Sequence, residues 1–222
     1  MPRAVVTGSA ADFIPPRPTL PKLRAAAAGC RGCDLWLDAT QTVFGEGAGH
    51  AAVMFVGEQP GDQEDRVGRP FVGPAGRLFD EALEAAAIDR DLVYVTNAVK
   101  HFKFVRRELL KRRLHKKPNA AEVRACKPWL QEEIRLIAPR LVVALGSTAA
   151  QALLGNAFRV TQHRGEVVPS EWAGPVLATV HPSSVLRAPD EYRADARREF
   201  FEDIAKVATL LKKTSARAKR GI

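Results

Sequence analysis

The 222 residues are 46% hydrophobic and 27% charged, which gives enough apolar surface for one well-buried α/β core. Thirty-four Lys and Arg against twenty-five Asp and Glu leave a formal charge of +9, an excess that favours polyanions such as nucleic acid. No apolar run approaches the ~18 residues of a membrane span, and the amino end lacks the charged-then-apolar layout of a secretory signal. The expectation is therefore a soluble, cytoplasmic, monomeric chain with one domain over 1–222 and no membrane partner.

The first 22 residues, rich in proline and poor in apolar periodicity, read as an extended arm leading into a helix over 23–28. Cys30-Arg31-Gly32-Cys33 follows, a spacing that lets two thiolates face one ion or cluster; in a reducing compartment such a pair points to metal or redox chemistry more than to a disulfide. Val53, Met54, Phe55 and Val56 form an apolar run closed by Gly57, as expected for a parallel strand buried on both faces. Its turn, Gly57-Glu58-Gln59-Pro60-Gly61-Asp62, sets a carboxylate and an amide at a strand's carboxyl end, where open α/β sheets keep their ligand crevices. A second glycine-rich stretch over 68–74 carries Phe71, and Pro74 starts an amphipathic helix through Leu78, Phe79 and Leu83.

The run LVYVTN over 92–97 predicts a strand ending in the amide of Asn97. Between 100 and 117 lie nine Lys or Arg, with Glu108 the one acid and with His101 and His115 among them. Asn119 and Glu122 have the spacing of a capping box, and Pro128 is expected to break the following helix just after Cys126. RLVVALG over 140–146 predicts a third strand, with Ser147 capping the next helix. Residues 176–180 predict a fourth strand, ending at His181-Pro182-Ser183-Ser184. A closing helix is expected over 192–211, then a frayed basic tail over 212–222. Strands alternating with helices predict a three-layer α/β/α sandwich around a mostly parallel, four-stranded sheet.

Three strand ends thus offer Glu58 with Gln59, Asn97, and His181 with Ser184. Together with the ring of Phe71, these groups suit the reading of a nucleobase edge and the cleavage of the bond behind it.

Gly57-Glu58-Gln59-Pro60-Gly61-Asp62, the 68–76 segment GRPFVGPAG, Thr96-Asn97-Ala98-Val99-Lys100 and His181-Pro182-Ser183-Ser184, taken together, resemble the iron-sulfur uracil-DNA glycosylases of family four. Two departures, Gln59 in place of a small residue and an inserted loop over 111–118, resemble the UdgX subgroup, which captures the abasic sugar through a histidine of that loop. The resemblance implies uracil-containing DNA, single- or double-stranded, as partner and a covalent, single-turnover excision. His115 would attack C1′, Glu58 would stabilise the sugar cation or take a proton, and His181 with Ser184 would stabilise the uracil O2. Phe71 would stack on a flipped base beside Gly57 and Gln59, Asn97 would read N3–H and O4, and Glu64 would crowd the thymine methyl. Lys111, Arg112, Arg113, Lys116, Lys117 and Arg187 would contact DNA. The resemblance also implies Cys30, Cys33, His101 and Cys126 as ligands of a [4Fe-4S] cluster; on residue types alone, tetrahedral zinc fits them equally. Two other readings are an ordinary multiple-turnover glycosylase, whose loop only grips phosphate, and a non-catalytic, metal-bearing DNA-binding module.

Overall fold

Four apolar runs, each buried on both faces, form the centre of the sheet in the computed structural model, which describes residues 8–107 and 112–220. In chain order, a 3-10 turn (Ala10–Phe13) precedes α1 (Leu20–Ala27), β1 (Glu46–Gly47), β2 (Val53–Gly57), α2 (Asp62–Val67) and α3 (Pro74–Ala85). Then come β3 (Val93–Asn97), β4 (Phe104–Arg107), β5 (Arg112–His115), α4 (Ala120–Ile137), β6 (Leu141–Leu145) and α5 (Ser147–Leu154). The chain closes with α6 (Val160–His163), β7 (Val167–Ser170), β8 (Gly174–Thr179), α7 (Pro182–Leu186) and α8 (Asp190–Arg220).

The main sheet has the order β1-β3-β2-β6-β8-β7. Its inner four strands, β3, β2, β6 and β8, are mutually parallel, and β1 and β7 pair antiparallel at the two edges. Side chains of β2 alternate between the layers: Val53 and Phe55 pack with Phe79, Phe200 and Ile204 of α3 and α8, while Met54 and Val56 pack with Leu130 and Ile134 of α4. The α/β/α layering is the one expected, with six strands where four were predicted. The two extra strands gave weak signals because β1 has two residues and β7 is a half-exposed edge containing Pro169, a residue that edge positions tolerate. A third apolar cluster joins the amino-terminal segment to α4 through Leu23, Cys30, Phe44 and Trp129.

Four local expectations are corrected. Pro128 does not end a helix: α4 runs unbroken over Ala120–Ile137. An interior proline costs about 3 kcal/mol, but the Asn119–Glu122 capping box and the burial of Cys126, Trp129, Leu130 and Ile134 on the same helix offset that cost. The basic insertion is a β-hairpin, β4 against β5, in which Phe104 pairs with His115. The last helix continues through Arg220, and Gly146 rather than Ser147 occupies the N-cap of α5. Among the described residues, no helix is long and apolar enough to cross a membrane.

Candidate active site at the strand ends

The carboxyl ends of β2, β3, β6 and β8 open on one crevice of about 730 Å³, lined by Glu58, Gln59, Phe71, Asn97, His115 and His181, with Glu64, Ser184 and Arg187 among its further walls. Parallel strands make this convergence unavoidable, because all four deliver their following turns to the same edge.

Glycine sets the depth of the crevice. A Cβ on Gly57 would fall into Asn97 Oδ1 and meet Phe71 Cζ at 3.0 Å, so only a glycine lets the amide and the ring approach the β2 backbone. Phe71 itself sits at φ +57, an uncommon conformation for a bulky residue. It is held there by Phe79, 5.4 Å away between centroids, and by α3, whose Gly76 leaves room for the Phe71 carbonyl. Glu64 ties the two glycine-rich turns together by accepting from Gly61 N at 3.1 Å and from Gly73 N at 2.8 Å. Asn97 is 3% exposed and its backbone carbonyl accepts from Lys100 Nζ at 2.8 Å. Its side-chain amide has no hydrogen-bond partner among the described residues and faces the crevice unspent.

His181 caps α7, with its Nδ1 accepting from Ser183 N at 3.1 Å. Burial pushes this imidazole down to about 4, with the positive charge of Arg187 adding to the effect. A neutral ring whose Nδ1 accepts must carry its hydrogen on Nε2, so His181 presents an N–H donor. Its ring lies 6.2 Å from Phe71 at 29°. The Ser184 hydroxyl donates to the His181 carbonyl at 2.7 Å, while Ser183 Oγ stands 2.7 Å from Nδ1. Ser183 is thus the serine that touches the imidazole, and Ser184 braces its backbone.

His115 stands at the end of β5 with its side chain 51% exposed. Its Nε2 lies 2.8 Å from Gln59 Nε2 and 3.3 Å from Glu58 Oε1. Desolvation lowers the pKa of the ring below the ordinary histidine value, Glu58 acts against that shift, and Arg187 reinforces it. Gln59 is buried and clamps the hairpin: its Oε1 accepts from Lys103 N at 3.0 Å and its amide nitrogen donates to Lys116 O at 3.0 Å. Glu58 Oε2 accepts from Thr148 Oγ1 of α5. Thr148 and Ser183 were missed by sequence reasoning. The signal for Thr148 was present, since Gly146-Ser147-Thr148 is a fourth polar strand end beside the three that were counted.

The basic residues divide into two groups. Arg113 is inward: it pairs with Asp62, lies 2.6 Å from Asp65 Oδ2, and stacks over Phe102 and Phe104 at 5.5 and 5.0 Å. Arg112, Lys116, Lys117 and Arg187 are exposed around the crevice and hairpin. Lys111 lies outside the described residues.

Cys30, Cys33 and Cys126 are buried and unpaired, in contact with the cluster around Trp129. Trp129 Nε1 donates to Cys30 Sγ and Lys100 N to Cys126 Sγ, each at 3.3 Å. Burial pushes the Cys126 thiol up to about 12, so its thiolate needs a cation to form. His101 is 5% exposed, and burial lowers its pKa to about 4, leaving the ring neutral. Thr42 Oγ1 donates its hydrogen to Ala27 O at 2.9 Å and so must accept from His101 Nε2–H, 2.8 Å away. That leaves the Nδ1 lone pair of a neutral imidazole free, the state a metal ligand requires. Among the described residues, no three of His, Cys, Asp or Glu form a group that would hold a single metal ion.

The family model of the uracil DNA glycosylase superfamily matches residues 44–205. A type-4 uracil-DNA glycosylase of Thermotoga maritima is 38% identical over 83% of this chain and 90% of that protein. Proteins of the same name from Pyrobaculum aerophilum (36% identical, 84% of this chain, 91% of that protein) and Sulfurisphaera tokodaii (32%, 86% and 84%) are similar along comparable lengths.

Proposed function

The chain belongs to the uracil-DNA glycosylase superfamily, and on that premise we propose that it excises uracil from DNA and then bonds to the abasic sugar through His115. The observation that carries the covalent part is the position of His115 Nε2 in the crevice wall, 3.3 Å from Glu58 Oε1 and clamped by Gln59.

In this reading a uracil nucleotide, flipped from a duplex or taken from a single strand, enters the crevice and stacks on Phe71. The unspent amide of Asn97 accepts from N3–H and donates to O4; cytosine offers the opposite pattern and is refused. Glu64 flanks the base beside C5, where it disfavours the thymine methyl. As the C1′–N1 bond breaks, its electron pair leaves with the base, and the Nε2–H of His181 stabilises the charge on O2. Glu58 stabilises the cationic sugar. The Nε2 lone pair of His115 then closes on C1′, the proton of its Nδ1 is released, and the uracil anion takes up a proton, so charge and atoms balance. The product is a histidine-linked abasic strand, formed once per molecule. Arg112, Lys116, Lys117 and Arg187 hold phosphates around the opening, whereas Arg113 fixes the hairpin to α2.

Cys30, Cys33, Cys126 and His101 would hold a [4Fe-4S] cluster; zinc is the alternative occupant of that donor set. The free Nδ1 of His101 and the three buried thiols support the assignment. Bound there, the cluster would supply a structural tie between the amino-terminal segment, α4 and the base of the hairpin.

The test is a denaturing gel with a uracil-containing oligonucleotide. The wild type is expected to leave an adduct that survives denaturation, and His115→Ala to abolish it while releasing free uracil. An adduct that persists in His115→Ala refutes the assignment. Uracil release with no wild-type adduct leaves an ordinary multiple-turnover glycosylase.

A further inference from the structure

A second cleft, of about 620 Å³, runs down the face of the molecule between α4 and α5 and is closed below by the turn after β7. It neighbours the crevice at two places along the chain: Lys117 of its lining lies two residues past His115, and Thr148 of its lining follows Ser147 of the crevice wall and donates to Glu58. Three cations line it, Lys117, Arg124 and Lys127, against one acid, Glu171.

Those cations differ from the ones on the opposite layer. Along α8, Arg193, Arg197, Arg198 and Lys206 all pair with carboxylates. Among the described residues, no carboxylate is in ion-pair contact with Lys117, Arg124 or Lys127. Lys127 instead places its Nζ 4.7 Å from the centroid of the half-buried Trp172 ring. A nucleobase stacked on an aromatic face is held more strongly than an ammonium set over it. A base arriving with its phosphate can therefore displace the ammonium from the ring and receive it as a counter-ion. A duplex keeps its bases inside and has none to offer.

We propose that this cleft binds the single-stranded flank of the nucleotide held in the crevice, with one base on Trp172 and phosphates on Lys117, Arg124 and Lys127. The proposal rests on reading the crevice as the site of uracil excision.

The experiment measures binding of an end-labelled, uracil-free single strand of about 12 nucleotides by fluorescence anisotropy across a salt series. Arg124→Ala/Lys127→Ala is expected to weaken binding at least about tenfold at low salt. It should also shrink the slope of log K against log salt by about 1.4, the share of two phosphate contacts on a single strand. Trp172→Ala should weaken binding about tenfold; if it fails to fold, Trp172→Phe is expected to retain binding, and the charge pair carries the test. Arg198→Ala/Lys206→Ala removes the same charge from α8 and is expected to stay within twofold. Equal losses from the two charge pairs, or no loss from the cleft pair, overturn the proposal. An equal loss for duplex DNA overturns the single-strand assignment. Uracil release is followed separately with the wild type, and its absence would remove the excision reading without altering the binding comparison.

Discussion

Gln59 and Glu58 contend for one nitrogen of His115. An amide N–H meets a lone pair on Nε2, whereas a carboxylate favours an N–H there, so the ring is poised between a nucleophilic and a proton-bearing form. Desolvation, together with Arg187, holds its pKa below the ordinary value despite Glu58. The sign of the pH effect follows: protonation removes the lone pair, and a lowered pKa moves that loss to more acid solution. Adduct formation should stay level from about pH 8 to about pH 6.5, the ordinary histidine value, and fall only below it. Single-turnover rates on a gel would check this, and a midpoint above the ordinary value would contradict the environment described for the ring. His181 adds no further limb in that range, because its pKa is pushed down to about 4.

The hairpin β4–β5 has only two strands and an exposed apolar outer face at Val105 and Leu114, too little to hold a fixed position on its own. Its anchor is Arg113, 13% exposed in its side chain, which reaches Asp62 and the fully buried Asp65. Deleting the guanidinium leaves the Asp65 carboxylate, among the described residues, with only the Thr40 N–H, a loss on the order of 3 kcal/mol for a buried carboxylate without its cation. Arg113→Ala is therefore expected to reduce the yield of adduct relative to free uracil at least about tenfold, because the imidazole loses its register with C1′. Arg113→Lys should not restore it, since one ammonium cannot serve two carboxylates as a planar fork does. Quantifying both products from one reaction decides the matter, and an unchanged ratio would show that Gln59 alone suffices to seat the hairpin.

Across the whole molecule, the amino-terminal segment is joined to the α/β body through the cluster around Cys30, Cys33, Cys126 and Trp129. If these cysteines hold a [4Fe-4S] cluster, the purified protein is brown, and Cys126→Ser lowers both its iron content and its melting temperature. Each kcal/mol lost should shift the melting temperature by about 2–4 °C in a chain of this size. Iron analysis beside a thermal melt checks this, and zinc at one ion per chain would replace the iron assignment. The amino-acid order by itself determined the four parallel strands and the polar turns that follow them, because continuous apolar runs and glycine-bounded ends are local signals. It also determined the crevice residues Glu58, Asn97 and His181, since parallel strands must deliver their carboxyl ends to one edge. Only the tertiary structure decided that Pro128 stays inside α4, that Arg113 turns inward to Asp62 and Asp65, and that Thr148 reaches Glu58 across the sheet. Each of those outcomes depends on a partner far away in the chain, whose burial or charge outweighs the local preference, and no window of neighbouring residues contains that partner.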